Sequence, residues 1–152
     1  MENTHYYDVS VKWESDRKGI ASSEVLDTTI EVATPPQFPK GMENIWSPEH
    51  FFVAAVNSCL MTTFLSIAEH SKLEFKSFDS KATGKLETVD GKMMMSEVTL
   101  KPVVVISNHD QLEKAERILN KSEAVCLISN SIKSKIIFEP EIRVEVPASV
   151  LN

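Results

Sequence analysis

Cysteine is scarce in this sequence. Only Cys59 and Cys126 occur in 152 residues, too few for the disulfide framework of a small secreted domain. Nor is there a basic surplus. The formal net charge is −6, which argues against nucleic acid or an anionic membrane as a partner. The four histidines, His5, His50, His70 and His109, are scattered without ligand spacing, so no metal site is expected, and no cofactor either. The N-terminal MENTHYYDVSVKW lacks the basic and apolar segments of a signal sequence, which predicts a cytoplasmic protein. No repeat, low-complexity run or linker divides the chain, so a single domain over residues 1–152 is expected. In such a chain the two cysteines do not make a permanent structural bridge. They are inert core thiols or a redox pair, and the residue pattern alone leaves both open, free cysteine being among the most buried residue types.

What is present is an ordinary globular composition, 42% hydrophobic and 25% charged, built around Ser47–Ser71, SPEHFFVAAVNSCLMTTFLSIAEHS. Ser47 suits an N-cap, and Pro48 suits a first helical position because it lacks an amide hydrogen. Glu49 places a negative charge in the first turn. Apolar residues then fall on nearly every side, the pattern of a helix buried all round or lying at a subunit interface. Asn57, Ser58, Thr62 and Thr63 make the stretch too polar for a membrane span.

Around this helix the chain alternates. Tyr7, Val9, Val11 and Trp13 read as a half-buried strand, followed by a polar turn from Glu14 to Gly19. Leu26, Thr28, Ile30 and Val32 read as its hairpin partner. Thr34–Trp46, with three prolines, is a loop. Two long alternating runs flank Asp90-Gly91, a strong hairpin signal because a type I′ turn needs positive φ at both central residues. Pro102 predicts an edge or a bulge in the second run. A second helix is expected from about Asp110 to Ile132, with a restart at Ser122 and Cys126 on its core-facing stripe. A last strand runs from Ile136 to Val146. The order β-β-loop-α-β-β-α-β predicts an α+β fold with helices packed on antiparallel sheet.

Several positions then acquire a collective meaning: Arg17 and Gly19 before Ser22-Ser23, Ser47-Pro48-Glu49 opening the helix, Cys59 ten residues beyond that glutamate, and Val125-Cys126 before Ser129-Asn130. In this order and spacing the chain resembles the OsmC/Ohr family of thiol peroxidases, the osmotically inducible and organic-hydroperoxide-resistance proteins. The resemblance covers most of the chain. It implies antiparallel sheets around a long buried central helix in an intertwined homodimer, with the sites at the subunit interface. It implies that Cys59 attacks an organic hydroperoxide, that Cys126 resolves the sulfenic acid to a Cys59–Cys126 disulfide, and that Arg17 and Glu49 shape the site. An external thiol, of dihydrolipoyl type in the family, restores the dithiol. Leu127 stands where family members often carry proline, and Pro48-Glu49-His50 replaces the usual Pro-Glu-Glu or Pro-Glu-Gln.

The chemistry gives these types a reason. A free cysteine, with a pKa of about 8.5, is only a few per cent thiolate at neutral pH. Burial raises it, and the helix dipole fades within the first turn, so a nearby cation is expected. Arg17 supplies one, and Glu49 can hold its guanidinium through a bidentate contact. On one straight helix, Glu49 and Cys59 lie about 15 Å apart along the axis. Either the helix breaks after His50 or the glutamate serves the partner's cysteine. Phe51, Phe52, Met61 and Phe64 are candidate apolar walls for an alkyl or lipid hydroperoxide, although core packing explains the same residues. The competing function is a redox-sensing or small-ligand-binding protein of the same fold without significant turnover.

Overall fold

The computed structural model describes residues 3–147. Its elements run β1 Ser10–Ser15, β2 Lys18–Ser22, β3 Ile30–Ala33, α1 Pro48–His70, β4 Ser77–Val89, β5 Lys92–Ile106, α2 Leu112–Ala124, β6 Lys135–Phe138 and β7 Glu141–Val144. Two compact units result, Met1–Phe51 and Phe52–Asn152.

The first unit is a three-stranded antiparallel sheet in the order β1-β2-β3. The expected hairpin of two strands is corrected by a third. β2 lies between them, and β3 pairs with β2. The chain reverses at once through Asp16, which takes a positive φ of 46°, so the segment read as a polar turn already contains β2. Gly19 pairs with Trp13 where a Cβ would press on the Lys12 carbonyl oxygen, so only glycine allows the two strands to approach this closely. The later alternation yields a shorter strand because Leu26 donates its amide to the Ser23 carbonyl at 3.1 Å, closing a turn. β1 is not half-buried as its pattern predicts: Val11 and Trp13 are 67% and 73% exposed. The Thr34–Trp46 loop is confirmed. It is held by Met42 N–H to Thr34 O at 2.8 Å and Ala33 N–H to Trp46 O at 2.9 Å.

Helix α1 starts where its sequence dictates. Ser47 Oγ accepts the His50 amide at 3.3 Å, while His50 Nδ1 accepts the Ser47 amide at 3.3 Å. This is a capping box with histidine in the place usually held by glutamate or glutamine. The helix then runs unbroken to His70. Its apolar character suggested burial all round or a place at a subunit interface; within the chain the stripe Val56, Leu60, Phe64 and Ala68 is buried. By length and composition α1 could cross a membrane; its buried stripe instead packs into the core of the second unit.

That core lies against β5. Val56 and Leu60 meet Val98 and Leu100, and Phe64 and Ala68 meet Val104, Ile106 and Leu119. Each such side chain contributes about 1.5–3 kcal/mol on full burial. β4 and β5 form the expected hairpin, with Asp90 and Gly91 at φ of 50° and 78°. The expected last strand is two strands, β6 and β7, both parallel to β5, so this sheet is mixed. Pro102 is therefore neither at an edge nor in a bulge. It sits in the central strand, where pairing passes from β6, ending at Leu100, to β7, starting at Val103. Its missing amide falls in the gap between these partners.

Asn57 fastens α1 to β4. Its Nδ2 donates to the Ser80 carbonyl at 2.8 Å, and Ser80 Oγ donates to Asn57 Oδ1 at 2.6 Å. Asn57→Ala removes both bonds and should cost about 1–3 kcal/mol, read as a lower urea midpoint at unchanged slope. An unchanged midpoint would show the clamp to be energetically idle.

Candidate active site

The second unit brings the two cysteines together. Cys59 lies on α1, partly exposed, one residue before the buried Leu60. The expected helix from Asp110 to Ile132 is shorter. A 3-10 turn at His109–Gln111 precedes α2, which ends at Ala124 with Val125 as C-cap, and a second 3-10 turn spans Ser129–Ser131. Ser122 restarts nothing; its hydroxyl donates to the Ile118 carbonyl at 2.7 Å inside the core. Cys126, fully buried, is thus in the bend after the helix.

That bend is tightly bonded. Cys126 N–H reaches Glu123 O at 3.2 Å, and Asn130 N–H reaches Cys126 O at 3.1 Å. Asn130 Nδ2 donates to Ala124 O at 3.2 Å and Ser131 Oγ to Leu127 O at 2.6 Å. The carbonyls are thereby turned into the bend's own bonds, leaving the amides of Leu127 and Ile128 near enough to the Cys59 sulfur to favour its charged form. Thr63, one helical turn beyond Cys59, adds its hydroxyl at 3.9 Å from Sγ.

The two thiols consequently differ in acidity. Burial pushes Cys59 up, but the Ile128 amide, the Cys126 thiol, the Thr63 hydroxyl and the Leu127 amide outweigh it, and the net shift is downward. Cys126 moves the other way. Burial raises it, Ser129 opposes through its hydroxyl and its amide, and the neighbouring Cys59 raises it further. Hydrogen bonds to the charged form are the mechanism. Within the described residues of one chain, the groups lowering Cys59 are neutral donors. Both cysteines are free thiols.

Arg17 and Glu49 belong to the first unit. Arg17 is exposed and lines a concavity of about 960 Å³ on the sheet face, with Val11, Trp13, Ile30, Pro48 and Phe51. The expected bidentate contact is absent: among the described residues no ion pair joins Arg17 to Glu49. Glu49 Oε2 is buried without a hydrogen-bond partner. The helix break after His50 is also absent.

The four wall candidates separate. Phe51 stacks on Trp46 at 5.7 Å between ring centroids. Phe52 packs against the Val56–Leu60 cluster. Phe64 is fully buried and stacks on Phe78 at 4.9 Å, so it is a core residue with no surface to offer a substrate. Met61 remains 39% exposed. Sequence reasoning missed Thr63 and the two amides. Thr63 was within reach, four residues from Cys59 on a helix; backbone amides carry no side-chain signature.

Comparison with known proteins identifies the family and the fold. The model of the family described as OsmC-like protein matches residues 41–141. The chain belongs to the OsmC-like family. The solved structure of an OsmC-like protein of unknown function from Vibrio cholerae is similar at 26% identity and a TM-score of 0.81, over 90% of this chain and 99% of that one. An organic hydroperoxide resistance protein from Elizabethkingia anophelis shares the fold at 19% identity and a TM-score of 0.71, over 92% and 98%. The uncharacterized protein YmaD of Bacillus subtilis is 21% identical over 149 residues, 96% of this chain and 98% of its own.

In this OsmC-like chain the thiol asymmetry has a direct readout. The rate of Cys59 alkylation against pH should show a midpoint below that of free cysteine, about 8.5. Below that midpoint thiolate is lost, so a lowered pKa gives faster alkylation at neutral pH. Thr63→Val removes a donor and should move the midpoint up. A wild-type midpoint at or above that of free cysteine would contradict the amide cradle.

Proposed function

We propose that this OsmC-like protein is a thiol-dependent peroxidase that reduces organic hydroperoxides to alcohols. The observation that carries this reading is the pairing of two free cysteines of opposite acidity shift. The Cys59 thiolate attacks the distal peroxide oxygen, the O–O bond breaks, and the alkoxide leaves as an alcohol after protonation. Cys59 becomes a sulfenic acid. Cys126, beside it, displaces hydroxide and forms the Cys59–Cys126 disulfide, releasing water. An external dithiol of the dihydrolipoyl class, by analogy with the family, exchanges with that disulfide and restores both thiols. The hydroperoxide resistance protein of the same fold and the apolar surroundings favour an organic peroxide over hydrogen peroxide, with Phe52 and Met61 as contacts.

The functional unit in this proposal is an intertwined homodimer, and the two compact units act as one domain, since the family match crosses the division at Phe51. Support comes from the apolar β1 face, exposed at Val9, Val11 and Trp13, and from the unburied apolar faces of α1. Isolated water-facing surfaces of this kind mark interaction sites. Glu49 and Cys59, ten residues apart on an unbroken helix, are separated by about 15 Å along its axis. Arg17 and Glu49 are therefore assigned to the partner's site, where Arg17 would bind peroxide and stabilise the leaving alkoxide.

Single-turnover thiol titration with cumene hydroperoxide, followed by intact mass, tests the chemistry. Wild type should lose both thiols and two hydrogens without an intermolecular crosslink. Cys59→Ser should consume no peroxide, and Cys126→Ser should oxidise once and then stall or over-oxidise. Full turnover by Cys59→Ser would refute the assignment. Oxidation in wild type without steady-state turnover would move the function to redox sensing. For the assembly, sedimentation should report a dimer that Trp13→Glu converts to monomer; a wild-type monomer would remove the shared site.

A further inference from the structure

One group of side chains around the bend has no part in the cycle so far. Ser129 is only 8% exposed, and its buried hydroxyl oxygen stands close enough to Cys126 and Glu123 to oppose their upward shifts without completing a hydrogen bond to either. A buried hydroxyl left unbonded costs about 1–3 kcal/mol, and such groups in folded proteins call for a reason. Its neighbours suggest one. On one side stands the Cys126 thiol; on the other stands the half-buried carboxyl of Glu123, in the last turn of α2. The bonds Cys126 N–H to Glu123 O and Asn130 N–H to Cys126 O close two successive turns, which space residues 123, 126 and 129 three apart along the bend.

We propose that Ser129 and Glu123 form a proton path that activates Cys126 for disulfide formation, Ser129 taking the thiol proton while passing its own to the Glu123 carboxylate. This rests on the peroxidase reading and adds the base that its second step needs. The Cys126 sulfur uses the electron pair of its S–H bond to form the S–S bond with Cys59. The S–O bond of the sulfenic acid breaks, and hydroxide leaves. The proton moves from Cys126 to Ser129 and from Ser129 to Glu123, which returns one proton to the hydroxide, completing water. The Cys126 sulfur is oxidised and the Cys59 sulfur reduced, so atoms and electrons balance.

The environment suits each role. Cys126 is held as a thiol by burial and is a poor nucleophile until the proton is removed. Burial also lifts the Glu123 carboxyl above the ordinary range, against the opposing Ser129 hydroxyl, which strengthens it as a proton acceptor. The unbonded Ser129 hydroxyl fits a relay that tightens only when the reacting group appears, since catalytic hydrogen bonds are often long at rest. Ser129 is the group beside the Cys126 sulfur; Glu123 acts through it.

The test separates the two oxidation steps in the reduced full-length protein. One equivalent of cumene hydroperoxide is added, Cys59 sulfenic acid is trapped with dimedone, and disulfide is followed by quenched intact mass. Glu123→Gln should leave Cys59 oxidation at the wild-type rate and slow disulfide formation by roughly a hundred-fold, within the range of general-base catalysis. Glu123→Asp should recover much of that rate, and Ser129→Ala should slow the same step alone. Glutamine still accepts a hydrogen bond from Ser129 but takes no proton, so a merely structural role predicts wild-type speed for Glu123→Gln. That result, or an aspartate variant no faster than glutamine, overturns the relay while leaving the peroxidase standing. Failure of wild-type Cys59 to oxidise at all overturns the peroxidase reading and the relay with it.

Discussion

The seating of α1 on β5 is the constraint on which the second unit depends. Val56, Leu60, Phe64 and Ala68 recur every four residues, and Val98, Leu100, Val104 and Ile106 alternate along the strand beneath. A stripe of period four on a helix meets a face of period two on a sheet, which fixes the helix's rotation. The Asn57–Ser80 pair then fixes its position along β4. Rotation decides the chemistry. Cys59 precedes Leu60, so burying Leu60 turns the thiol to the rim of the buried stripe, half accessible and able to meet a second chain segment. A helix rotated by one residue would bury Cys59 and expose Leu60.

The second segment shows how polar backbone contributes to a task for which a charged side chain was also expected. A cation beside Cys59 would need its own desolvation offset, and a buried charge without a counter-ion is costly. Amide donors already oriented by the bend carry no net charge and are positioned by the fold. They favour the thiolate on Cys59 while Cys126, deeper and beside that developing charge, is held protonated. The difference in acidity between the two thiols therefore follows from depth and donor count, not from any difference in residue type.

Much of this fold was legible because hydrophobic period and turn chemistry are local. The α1 start at Ser47-Pro48, the Asp90-Gly91 hairpin and the loop of prolines each follow from short-range rules. The failures were non-local. β2 is too short to show alternation and hides in a segment that reads as a turn. α2 stops at Val125 with neither glycine nor proline to announce it, because the bend is held by Asn130 and Ser131 reaching back from beyond the helix. The parallel pairing of β6 and β7 with β5 depends on a crossover that no local pattern encodes. In the site, the two cysteines were named from the pattern and Thr63 was within its reach but missed, while the amides of Leu127 and Ile128 and the place of Ser129 became visible only through the bend.

The first unit poses the opposite problem to the second. There, alternation correctly marked an apolar face, yet Val11 and Trp13 are uncovered. A strand pattern reports that a face is to be buried, and is silent on what buries it. Glu49 presents the polar counterpart: a carboxylate oxygen out of solvent with no donor facing it, which is unfavourable for any chain that ends its folding there. An apolar face without a lid and a buried acceptor without a donor, both in Met1–Phe51, are deficits of the same kind. A second copy offers one remedy for both, because two-fold self-association supplies each surface twice, once as donor and once as acceptor. In the proposed dimer, the exposed sheet and the unpaired glutamate would be met by one and the same association.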